Sequence, residues 1–208
     1  MRKISLLKTL FISLIIFTIP SALFADAETH DGFYFNFLLG FGYDQTTIES
    51  DGSADMDLTG TGYNLKFKMG GTPVENFIIF GTLGFYDLEG PEISSGSYSE
   101  TVDETYVTYS EFGGGFCYYI MPVNVFISAD LSAVQGVVGN TEADTSESSD
   151  TGWSLSLSVG KEWWISDNWG IGAAVVATYG VMPNEVTYGE DETLIHKYMG
   201  IAITATYN

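Results

Sequence analysis

Groups able to do chemistry are few in this chain of 208 residues: two histidines, His30 and His196, one cysteine, Cys117, and a handful of charges set inside otherwise apolar stretches. Nucleophilic catalysis needs a nucleophile, a base and a group that orients the base, all within hydrogen-bond reach. His196 is followed by Lys197 and Tyr198, so no H-x-S spacing supplies a serine from the same stretch. A serine or aspartate brought in from a neighbouring loop stays open. Cys117 has no histidine near it in sequence and reads as a small interior filler; a lone cysteine also excludes an intramolecular disulfide. "GIGAAV" at 170–175 lacks the third glycine of a dinucleotide fingerprint and leads into no helix. "ESDGSADMD" at 49–57 is acidic but lacks the alternate-residue ligand spacing of a calcium loop. The reading is a protein with no catalytic residue, no cofactor and no metal site.

The charges that need an explanation are Lys66, Lys68, Glu111, Asp130, Glu162 and His196. They lie within stretches that alternate with period two, the signature of strands with unlike faces. "GFYFNFLLGFGYD" sets Phe33, Phe35, Phe37, Leu39, Phe41 and Tyr43 against Tyr34, Asn36, Leu38, Gly40, Gly42 and Asp44. "WSLSLSVG" sets Trp153, Leu155, Leu157 and Val159 against Ser154, Ser156, Ser158 and Gly160. All six charges share the face of small and polar residues. Eight such segments are expected, at 32–44, 58–70, 77–88, 104–119, 124–136, 153–165, 169–181 and 193–207. Long connections rich in Ser, Thr, Gly, Asp and Glu, at 45–57, 89–103, 137–152 and 182–192, alternate with tight ones at 71–76, 120–123 and 166–168.

That alternation predicts an eight-stranded antiparallel up-and-down transmembrane β-barrel, with long loops outside and short turns facing the periplasm. A soluble β-sandwich would bury the apolar face instead. The outward residues here are large and aromatic near the strand ends, and the inward ones suit a narrow interior. An eight-stranded barrel is just wide enough for side chains to fill. Charges inside must therefore pair or reach trapped water. A lumen network is expected to link Lys66 and Lys68 with some of Glu111, Asp130 and Glu162, with His196 joining it or capping its outer end, and to hold the barrel shut. Lys161 is the exception, since strict alternation turns it towards lipid unless a bulge near Gly160 intervenes.

In "KEWWISDNWG", Trp163 and Trp169 flank a turn and share outward parity. Indole rings bury at the hydrocarbon boundary while their N–H stays wet. Trp163, Trp169 and Tyr207 are thus expected as interface aromatics, with Trp164 turned inward to plug the periplasmic mouth.

The first 25 residues read as a secretory signal peptide: Arg2, Lys3 and Lys8, an apolar run from Leu10 to Ile19, and a small-residue exit at Ala25. The apolar run falls short of the ~20 residues a spanning helix needs. The remaining 26–208 form one barrel domain. All 27 acids lie beyond Ala25, against four lysines. Such a chain repels nucleic-acid phosphates.

The signal peptide, the alternating strands and the loop pattern together resemble the small outer-membrane β-barrel proteins of the OmpA transmembrane-domain and OmpX type. "GKEWWISDNWGIG" is similar to a segment that recurs in uncharacterised bacterial outer-membrane barrels. The resemblance implies a Gram-negative outer membrane, lipid and lipopolysaccharide as surroundings, insertion machinery that reads the last strand, and a monomer. It also implies a non-enzymatic envelope or surface-interaction role through the acidic loops. Members usually end on an aromatic residue; here Asn208 follows Tyr207. Two rivals stay open: a lipid A-modifying enzyme, since some small barrels are one, and a small pore.

Overall fold

In a computed structural model, residues 30–50, 54–184 and 191–208 are described. The expected signal peptide, together with Asp51, Glu185 and Glu190 of the acidic loops, lies outside them.

Eight long strands form the wall: β1 (Gly32–Ser50), β2 (Met56–Val74), β3 (Phe77–Glu89), β6 (Thr105–Ile120), β7 (Val125–Asn140), β9 (Gly152–Trp164), β10 (Trp169–Asn184) and β11 (Glu192–Tyr207). Each pairs antiparallel with its neighbours. β1 pairs with both β2 and β11, from Phe35 opposite Tyr207 to Ser50 opposite Glu192, so the sheet closes on itself. Closure removes every edge in the wall.

The strands run further than the alternation suggested. β1 and β2 extend to Ser50 and from Met56, converting most of the expected 45–57 loop into strand. The 89–103 connection folds as a hairpin of β4 (Glu92–Ser95) and β5 (Tyr98–Thr101), and β8 (Thr145–Ser148) pairs with the end of β7. Polar composition hid these pieces: backbone pairing needs no apolar face where both sides meet water. The turns are as tight as expected. Asn76 and Asn124 take positive φ, 63° and 53°, a region asparagine visits more readily than most residues.

Parity survives the whole length of β9. Leu155, Leu157, Val159 and Trp163 are exposed, while Ser154, Ser156, Ser158 and Glu162 are buried. No bulge intervenes at Gly160, and Lys161 keeps its outward side. A belt of exposed large residues, including Phe41, Leu83, Leu131, Val175 and Ile201, encircles the wall.

The interior departs from expectation. It is not filled by small and polar residues alone, but layered. Towards the loop end sits an apolar and aromatic cluster with Leu58, Leu88, Val107, Tyr109, Met182 and Leu194. Towards the turn end sits a second, with Tyr34, Ile78, Phe80, Cys117, Tyr119 and Phe126. Ionic side chains occupy the space between. Glycines make room for the large rings: a Cβ on Gly136 would lie 2.8 Å from the Tyr109 ring.

Candidate functional site in the barrel interior

The strand registers set the inward charges at three levels. At mid-height Lys66 Nζ lies 2.6 Å from Glu111 Oε1 and 2.8 Å from Asp130 Oδ1, and donates to Ser156 Oγ at 2.7 Å. Lys68 Nζ lies 3.5 Å from Asp130 Oδ2, donates to Ser128 Oγ at 3.0 Å and sits over the Phe80 ring at 4.7 Å. Two cations thus face two carboxylates, which leaves this layer neutral. Burying four ions is tolerable only with such matched contacts, because each unpaired charge would cost several kcal/mol.

Glu162 stands apart, nearer the turns. Its Oε1 accepts from Thr204 and Thr206 at 2.9 and 2.6 Å, and its Oε2 from Tyr119 at 3.1 Å. Three hydroxyls take the place of a counter-ion. His196 lies nearer the loops: its Nε2 is 3.2 Å from Asp44 Oδ2, and its ring stacks on Tyr109 with centroids 4.0 Å apart. Between the middle and upper levels, Tyr86 and Ser156 both meet Thr178 Oγ1 at 2.8 Å.

A glycine on the adjacent strand faces every one of these carboxylates. Gly84 is opposite Glu111, Gly115 opposite Asp130, Gly172 opposite Glu162 and Gly60 opposite Asp44. A Cβ on Gly84 or on Gly172 would come within 2.6 Å of the facing glutamate Cγ. At Gly84, Gly115 and Gly172 the missing side chain is the space that the acid occupies, and for Asp44 that space is left by Gly62, whose Cβ would lie 2.8 Å from the Asp44 Cβ.

At the turn end a plug closes the lumen. His30 is fully buried, stacked on Tyr119 at 3.5 Å between centroids and tilted against Trp164 at 4.9 Å. Its Nε2 meets Asn124 Oδ1 at 2.8 Å, and its backbone is tied to Asn76 at the first turn. Sequence reasoning placed Trp164 and His30 at this end, but not the stack of His30 on Tyr119 or its bond to Asn124. It also put Asp44 on the inward face without counting it among the charges that need a partner.

Outside the same end, Trp169 packs edge-on against Tyr207 at 5.4 Å, and Tyr207 lies 6.3 Å from Phe33. Lys161 reaches from the outer face to the Val123 carbonyl in a turn, its Nζ 5.7 Å from the Trp163 ring. The long stem lies along apolar surface while the charge escapes it. Asn208 is pinned by its backbone N–H to Asn168 O at 3.0 Å. Among the described residues no group of histidine, cysteine and acidic side chains is arranged to hold a metal ion.

No protein-family model matches the chain, and no curated protein does. Among solved structures, the outer membrane protein AlkL, determined in lipid bilayers, aligns over 90% of this chain and 95% of its own at 11% identity, with a TM-score of 0.51. Neisserial surface protein A aligns over 85% and 98% at 13% identity (TM-score 0.48), and Ail of Yersinia pestis over 84% and 99% at 18% (TM-score 0.40). The chain has the fold of the small eight-stranded outer-membrane β-barrels.

Proposed function

We propose that this chain is an outer-membrane barrel of a Gram-negative bacterium, exported by a signal peptide at 1–25. In this reading it acts without catalysis as a closed anchor that presents acidic loops at the cell surface. The observation that carries it is the ionic layer itself. Lys66, Lys68, Glu111 and Asp130 are all nearly or fully buried, and they are held between two apolar layers. A barrel so filled favours a structural post over a conduit. The outward belt supports lipid on the outside, where charged residues would be costly and apolar ones are not.

Lipids and lipopolysaccharide are then the neighbours of the wall, the insertion machinery reads β11, and the protein works as a monomer with no nucleic-acid partner. The enzyme reading draws no support from His196, which is fully buried against Tyr109 and Tyr86 instead of facing the lipid surface.

Fractionation combined with gel mobility tests the placement. The expected result is protein in the outer-membrane fraction, with a band that shifts only after boiling. Soluble periplasmic protein would reject it. Planar-bilayer recording tests closure: silence is expected from the native chain, and steady single-channel steps would favour a pore.

A further inference from the structure

At the loop end the wall rises past the packed interior and encloses a cup of about 570 Å³, within the ~300–1,000 Å³ range of small-molecule sites. The floor is aliphatic. Ile48 of β1, Ile93 of β4 and Val138 of β7 are half-buried and rest on the interior cluster. Beneath them Val107 and Met182 are fully buried, so the cup is a dead end. The sides carry hydroxyls and two carboxylates, Glu147 of β8 and Glu192 of β11. Ser50 and Asn184 donate to Glu192 at 3.3 and 3.1 Å and hold it at the rim.

Charge then selects the occupant. Lys66 and Lys68 are buried at mid-height, Lys161 is at the turn end, and Lys197 points off the outer wall. Among the described residues no cation lines the cup. A carboxylate or phosphate ligand would meet only like charge, whereas a cation would meet opposite charge.

We propose that this cup binds one small organic cation bearing a short alkyl group, an alkylammonium, with the alkyl part on Ile48, Ile93 and Val138 and the charged head beside Glu147 and Glu192. The cup captures a ligand and does not pass it inward. It goes beyond the anchor reading and uses it only to say that this end faces the surroundings.

The test is calorimetric titration of the full chain, refolded in phosphatidylcholine vesicles, with hexyltrimethylammonium, hexanoate and hexanol, against protein-free vesicles. Saturable binding of the cation is expected, with hexanol weaker and hexanoate silent. Val138→Trp, which fills the cup, and the double variant Glu147→Gln/Glu192→Gln, which keeps its shape, should each weaken the cation roughly tenfold. Boil-dependent gel mobility verifies that each variant is folded, and the isosteric double variant decides if Val138→Trp does not fold. No saturable cation binding, hexanoate or hexanol binding as tightly, or unchanged affinity in either folded variant overturns the proposal. Fractionation results bear on the anchor reading alone, so the two can fail separately.

Discussion

Lys66 on β2 reaches across the barrel to Asp130 on β7, Nζ to Oδ1 2.8 Å, although β3 and β6 stand between those strands in the wall. A second contact ties the same nitrogen to Glu111 on β6. The ion pairs are therefore chords of the barrel, and they connect strands that share no backbone hydrogen bond. Such chords resist flattening of the wall.

Lys66→Met removes the cation and leaves Glu111 and Asp130 buried with only Lys68 between them. Urea unfolding in vesicles should show a loss of about 3–5 kcal/mol. Adding Asp130→Leu should recover part of that, because an apolar filler in place of a pair is often tolerated.

Glu162 tests a different kind of satisfaction. Glu162→Leu orphans three hydroxyls and should cost about 1–3 kcal/mol for each group left unpaired. Glu162→Gln keeps one oxygen for Thr204 and Thr206 and turns an amide towards Tyr119, whose hydroxyl can accept. It should lie within about 1 kcal/mol of the native protein by the same unfolding measurement.

Gly84→Ala places a methyl where Glu111 Cγ stands 2.6 Å away. Overpacking of about 1–3 kcal/mol is expected. Combining it with Glu111→Ala should restore stability relative to Glu111→Ala alone more than additivity allows, which a double-mutant cycle reads directly.

Trp169 and Tyr207 form an edge-on pair on the outer face at the turn end. A cycle of Trp169→Ala and Tyr207→Ala should give a coupling of about 0.5–1.5 kcal/mol. The pair also joins β11 to β10 at the terminus, so both single variants should refold into vesicles more slowly in a gel-mobility time course.

His30 lies ahead of β1, outside the spanning strands. Burial lowers its pKa below 6.5, against the opposing effect of the hydrogen bond it donates to Asn124 Oδ1. The unfolded chain therefore takes up a proton first, and stability rises with pH across this window. The contribution is complete above the unfolded value of 6.5 and is lost as pH falls below it towards the folded value. Unfolding followed from about pH 7.5 to about pH 5 should show this slope, and His30→Gln should flatten it.

The facing of nearly every strand residue was legible from the chain alone. Period two is a local property, and it placed Lys66, Lys68, Glu111, Asp130, Glu162 and His196 inside and Trp163 and Trp169 outside. The same parity put Lys161 outside, and the absence of a bulge at Gly160 kept it there. The alternation of long and short connections gave the up-and-down order.

Partnership was not legible, because it depends on how far each strand slides against the next and on where the ring closes. Only the registers lift His196 beside Asp44, drop Glu162 among Thr204, Thr206 and Tyr119, and set a glycine opposite each acid. Apolar inward positions such as Leu58, Val107 and Met182 looked scattered along the chain, and closure gathers them into the layer that floors the cup. Sequence alone determined which side each residue faces, since that follows from the backbone of one strand. Tertiary structure decided the height at which it sits and what it meets there, since both follow from the shear of all eight.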